Sequence, residues 1–188
     1  MVKKLLFFIS ISLLVVSCGG PSESPANKVT ASLDVNDLVE SQSEFIQCKN
    51  ETTENHACKS YVAIAFAKYY GYEMKGDGGL FLPYDEILDF VKVSSDWTEI
   101  GLASDQSVLI EAQENANNGI GTVALNTKGS KTVAIVIEGK LSHSNSLGLD
   151  CPNVVVFRPS KFDKSFVGKG INYAWSDLSN VKIYSLNK

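Results

Sequence analysis

Asn55-His56-Ala57-Cys58-Lys59-Ser60-Tyr61-Val62-Ala63-Ile64-Ala65-Phe66 is a short polar step that runs directly into an apolar helix, and the fold hangs on how it is read. Cys58, Tyr61, Val62, Ala65, Phe66 and Tyr69 recur at helical spacing along one face. Val62 to Ala67 is apolar all round, so this helix should be the central buried one, ended by Gly71 as its C′ residue. Asn55 is a good N-cap, which would put Cys58 in the first turn, where free N–H groups and the macrodipole favour thiolate. A cysteine so placed is a nucleophile or the remnant of one. The competing reading makes it a small buried hydrophobe or half of a disulfide.

Upstream, Asp34 or Asn36 can cap a helix that starts near Leu33 and carries Leu38, Val39, Phe45 and Ile46. Downstream, glycines around Asp77 make 71–83 a loop, and Asp77 and Asp85 supply too few regularly spaced oxygens for a calcium site. A short helix is expected over 85–93, an extended connection over 96–100, and a longer helix over 104–118 capped by Ser104. From Gly119 the period becomes strand-like. The segments 120–125, 132–138, 154–157, 171–175 and 181–186 read as strands. Helices followed by closely connected strands describe an α+β domain with an antiparallel sheet.

The first eighteen residues do not belong to that domain. Lys3-Lys4 is a positive n-region, and Leu5 to Val16 is an apolar run too short for a finished membrane span. The run ends in Val15-Val16-Ser17-Cys18, which resembles a bacterial lipobox. That resemblance implies a signal peptide over 1–18, lipid on Cys18, and a membrane as partner through that lipid; the alternative is an ordinary secretory signal cut nearby. Gly19 to Asn27 has the composition of a tether, so 19–32 is read as a flexible linker and 33–188 as the folded domain. Either signal carries the protein out of the cytoplasm to the cell envelope. The chain has 188 residues, 44% of them hydrophobic, which suits one domain with a real core. Its formal net charge of −4, with lysines scattered, argues against a nucleic-acid partner.

With Cys18 lipidated, Cys48, Cys58 and Cys151 remain, an odd number. Pairing of Cys48 with Cys151 would leave Cys58 a free thiol. Pairing of Cys48 with Cys58 would end the nucleophile reading, and sequence alone does not choose between them.

The layout resembles the papain-like peptidoglycan hydrolases of the NlpC and CHAP kind, most of all the cell-wall amidases that type VI secretion systems inject into rival bacteria. The likeness runs from Cys58 to about Leu186. It rests on Ala57-Cys58-Lys59-Ser60-Tyr61-Val62, on Asp96-Trp97-Thr98-Glu99-Ile100, on the alanine- and asparagine-rich helix before the sheet, on Val133-Ala134-Ile135-Val136, and on an aromatic C-terminal hairpin. It implies a papain-like fold with Cys58 as nucleophile. The family's strand opens with the histidine that takes the cysteine's proton, and here that position is Thr132, whose hydroxyl is no base near neutral pH. Lys59 replaces the family's small residue after the cysteine. His143 sits near the position of the family's third, orienting polar residue, and a more active reading has it reach Cys58 directly; His56 reads as an exposed loop residue. Zinc, phosphate-loop and dinucleotide patterns are absent, so no metal or cofactor is implied. Most of the aromatics Tyr69, Tyr70, Tyr72, Trp97, Tyr173, Trp175 and Tyr184 read as core rather than as a ligand groove. The resulting expectation is a lipid-anchored envelope protein, catalytically degenerate, that binds cell-wall peptide or a protein partner. The alternative is a cysteine amidase or endopeptidase that uses Cys58 with His143.

Overall fold

A computed structural model describes residues 31–52, 58–129 and 131–187. The lipobox with Cys18, the tether up to residue 30, Asn55 and His56 lie outside the described residues.

The first helix, α1 (Val35–Glu51), starts where Asp34 accepts a hydrogen bond from Asn36 N at 2.9 Å, a side-chain cap that satisfies one orphan N–H. Leu38, Ser41 and Phe45 form its buried stripe. The second, α2 (Tyr61–Tyr70), is buried nearly all round, as its apolar composition requires, and Gly71 closes it at φ 70°, a left-handed position that costs glycine little. Its start differs from expectation. Cys58 is not in the first turn but in the turn before it, itself left-handed at φ 70°, and Ser60 precedes the first helical residue.

After the loop come α3 (Ile87–Val93), the strand β1 (Trp97–Leu102) and α4 (Gln106–Asn117). The cap of α4 is Asp105, not Ser104: its carboxylate accepts from Ser107 N and Ser107 Oγ, both at 2.8 Å. Then follow β2 (Thr122–Asn126), β3 (Val133–Val136), β4 (Ser142–Ser144), β5 (Leu149–Cys151), β6 (Asn153–Val156), β7 (Phe166–Gly170) and β8 (Val181–Leu186). Residues Ile171–Tyr173 form a single 3₁₀ turn instead of the expected strand.

Six strands form one antiparallel sheet in the order β1-β8-β2-β3-β6-β7, and β4 and β5 pair separately as a hairpin. The α+β expectation with an antiparallel sheet holds at that level. The extended connection over 96–100 is an edge strand on β8, so strands do not all follow the helices. Gly101 sits at a register shift in β1 with φ 142°, and a Cβ there would come within 2.7 Å of Val108 on α4.

Alternation along the strands explains the layering. Val123, Leu125, Val133, Ile135, Ile137, Val155 and Tyr184 point to the face covered by α1, α2 and α3, where they meet Leu38, Phe45, Phe66, Tyr69 and Ile87. Ala124, Ala134, Val136, Val154, Val156 and Ile183 point to the opposite face, against Val108, Leu109, Ala112 and Ala116 of α4. Because helices cover both faces, β3 reads as a continuous apolar run rather than an alternating one. No described helix is long and apolar enough to cross a membrane.

Candidate functional site

The cysteines decide what the start of α2 can do. Cys48 on α1 is disulfide-bonded to Cys58, with Cα atoms 5.9 Å apart across a sequence separation of 10. Of the two pairings left open by the sequence, Cys48 with Cys151 is thus not the one formed, and for a simple reason. Cys151 is buried in the core on the α4 face of the sheet, whereas Cys58 packs against the core on the α1–α2 face, so the sheet stands between them. In the disulfide Cys58 has no thiol to ionise. Among the described residues the remaining thiol is Cys151, which burial raises above its ordinary pKa against the effect of its backbone hydrogen bond, so it is a core side chain rather than a reactive group.

The residues that follow Cys58 are firmly placed. Lys59 Nζ lies 2.9 Å from Asp85 Oδ2, Lys59 O accepts from Tyr84 N at 2.9 Å, and Ser60 Oγ donates to Phe81 O at 2.9 Å. This fixes the 81–85 segment against the start of α2. The hydrogen bond to Asp85 raises the Lys59 pKa. Burial acts to raise the Asp85 pKa, but the bond from Lys59, backed by local backbone and charge contributions, wins and holds the carboxyl below its usual value. Across from Asp85 comes the strand that opens with Lys131 and Thr132, and Lys131 Nζ donates to Asp85 O at 2.8 Å.

Between these segments lies a cavity of about 390 Å³, lined by Tyr84, Asp85, Lys131, Thr132, Arg158 and Lys161 among others. Arg158 is held by two hydrogen bonds from Nη2, to Tyr173 O at 2.8 Å and Ala174 O at 3.0 Å, which leaves Nε and Nη1 for other partners. Asp85 Oδ1 is buried and has no hydrogen-bond partner among the described residues, so one acceptor at this wall is left for a donor.

Of the residues singled out by sequence, the structure brings Thr132 and Asp85 to one cavity next to the turn that holds Cys58. It does not bring His143 there. His143 is exposed on the β4–β5 hairpin, its Nδ1 2.9 Å from Asp150 Oδ1, and that hairpin is tied to α4 by paired hydrogen bonds between Gln106 and the Asp150 backbone. His143 thus belongs to the α4 side of the sheet, away from Cys58. Tyr69, Tyr70, Trp97 and Tyr184 are core, as expected, while Tyr173 is 61% exposed. Among the described residues no three His, Cys, Asp or Glu side chains cluster in a way that would hold a metal ion.

Arg158 and Lys161 were not anticipated from sequence. The available signal was composition, because Arg158 is the one arginine of the chain, sitting in Phe157-Arg158-Pro159 where a strand gives way to a loop. No protein-family model matches the chain, and no curated protein does either.

Proposed function

We propose that the chain is an exported envelope protein, anchored by lipid on Cys18, whose papain-like domain descends from a peptidoglycan amidase and binds cell-wall peptide without cutting it. The observation that carries the reading is the Cys48–Cys58 disulfide, which occupies the sulfur that an amidase would need as its nucleophile, while the next residue, Lys59, pairs with Asp85 in the wall of a cavity. Thr132 agrees with this, since it contributes no base to that cavity. Peptide binding suits the cavity walls: Asp85 Oδ1 can accept from an amide or ammonium, and Arg158 and Lys161 can donate to a carboxylate.

The test is retention of the full chain, in detergent, on purified peptidoglycan sacculi, with release of new amino groups followed in the same tubes. Retention without release, weakened by Thr132→Trp, which fills the cavity, is the expected outcome. Absence of retention removes the peptide-binding reading. Release of amino groups that requires reductant and is abolished by Cys58→Ala restores a cysteine amidase in its place.

A further inference from the structure

Arg158 and Lys161 also line a second cavity, of about 420 Å³, whose other walls include Lys164, Phe166, Lys169 and Tyr173. The two cavities therefore adjoin and form one groove that runs from Thr132, past the fixed guanidinium of Arg158, to the exposed ring of Tyr173. Lys131, Arg158, Lys161, Lys164 and Lys169 face it against the carboxylates Asp85 and Asp163, and Asp85 is already paired with Lys59. On a chain whose net charge is −4, so much positive charge on one groove means that the rest of the molecule is more acidic still. Such segregation focuses a positive field on the groove.

The aromatic end adds a second property. Lys169 Nζ lies over both rings, 5.7 Å from the Phe166 centroid and 5.5 Å from that of Tyr173, so an ammonium and the exposed part of the Tyr173 ring, in a residue 61% exposed, meet at this end. A pyranose ring that bears a carboxylate matches that pair, with its apolar C–H face on the phenol ring and its charge on the ammonium.

We infer that the groove from Arg158 to Tyr173 binds an acidic polysaccharide, a chain of sugar rings carrying carboxylates, with Arg158, Lys161, Lys164 and Lys169 as the anion-binding residues and Tyr173 as the stacking platform. This goes beyond the peptide-binding reading and survives its failure.

The probe is a fluorescently labelled oligogalacturonate, titrated into the full chain in detergent and read by anisotropy, with a neutral maltooligosaccharide of equal length and inorganic polyphosphate as comparators. Oligogalacturonate should bind, with an affinity that falls as salt rises, and the maltooligosaccharide should not. The double variant Lys161→Glu, Lys164→Glu should weaken oligogalacturonate at least tenfold. Tyr173→Ala should weaken it at least threefold while leaving polyphosphate unchanged, a split that charge alone does not produce. All three residues are exposed, and unchanged thermal unfolding of the variants shows that the fold is kept. No binding of oligogalacturonate, equal binding of the neutral oligosaccharide, or insensitivity to Tyr173→Ala overturns the proposal. Sacculus retention scored on the same proteins separates the two ideas: a chain that binds oligogalacturonate but not sacculi loses only the peptide reading.

Discussion

On one face of the sheet three helices pack, two of them tied together through a disulfide; on the other, one helix and a small hairpin enclose a buried thiol and leave a histidine–aspartate pair in solvent. The cysteine in the more reactive-looking position is the one that is sealed, and the free one is inert through burial. The sheet is a partition: Cys58 packs against the core on one face of it, and Cys151 is buried in the core on the other.

The largest test of that contrast is packing. Phe66 on α2 is fully buried and meets Tyr70, Tyr72 and Trp97 at ring-centroid distances of 5.0, 6.5 and 5.5 Å. Phe66→Ala should cost about 3–5 kcal/mol in chemical denaturation, against about 2–4 kcal/mol for Leu109→Ala on the α4 face. A larger loss at Leu109 would show that the α4 face, not the α1–α2 face, dominates the core.

Next is the disulfide. Closing so short a loop constrains the unfolded chain by about 2–3 kcal/mol in the entropic account, so Cys48→Ala with Cys58→Ala should lower stability by about that much. Reductant should lower the melting temperature of the parent chain but not of the double variant. In Cys151→Ala the sensitivity to reductant should remain, and if it vanished the pairing would have to be redrawn.

A smaller effect comes from the ion pair. Asp85 is held below its usual pKa, so its contribution is present at neutral pH and is lost as the pH falls through the folded-state value, below the ordinary carboxylate range. Lys59 is raised, so its share persists to alkaline pH and is lost only as the pH rises through its folded-state value. Asp85→Asn should therefore lower the melting temperature near pH 7 and make a steadily smaller difference in acid, as the pH falls through the range where the parent carboxyl takes up its proton as well. An equal decrement in acid and at neutral pH would point to packing instead of charge.

The smallest effect should be at His143. With its side chain more than half exposed, His143→Ala should change stability by less than about 0.5 kcal/mol and leave sacculus retention intact. A clear loss of retention would bring the β4–β5 hairpin into the binding site.

How much of this could be read in advance depended on how local the signal was. The helix α2 and the strand β3 announce themselves through unbroken apolar runs, and Asp34 caps α1 as its position suggests. The strand β7 was hidden because Gly168, Lys169 and Gly170 look like a turn, and its pairing with β6 supplies the order that its own composition lacks. The segment from Ile171 to Trp175 misleads in the opposite sense, since its aromatic content suits a strand while Gly170 and the Arg158 guanidinium hold it as a turn. The three-residue strands β4 and β5 are too short and polar to stand out. The cavity was legible only in part. Asp85 and Thr132 come from segments that sequence could mark, but Arg158 and Lys161 reach it through sheet order, which is a long-range property.

The position of β8 carries a consequence for how the molecule comes into being. It lies between β1 and β2, with Thr98 bonded to Asn187 across 89 residues, so the sheet stays open there until β8 has been made. While 181–186 is still being synthesised, β1 has no neighbour and β2 has only one. A nascent chain in that condition cannot close its sheet, so the long-range pairs of β8 with β1 and β2 wait on the synthesis of 181–186.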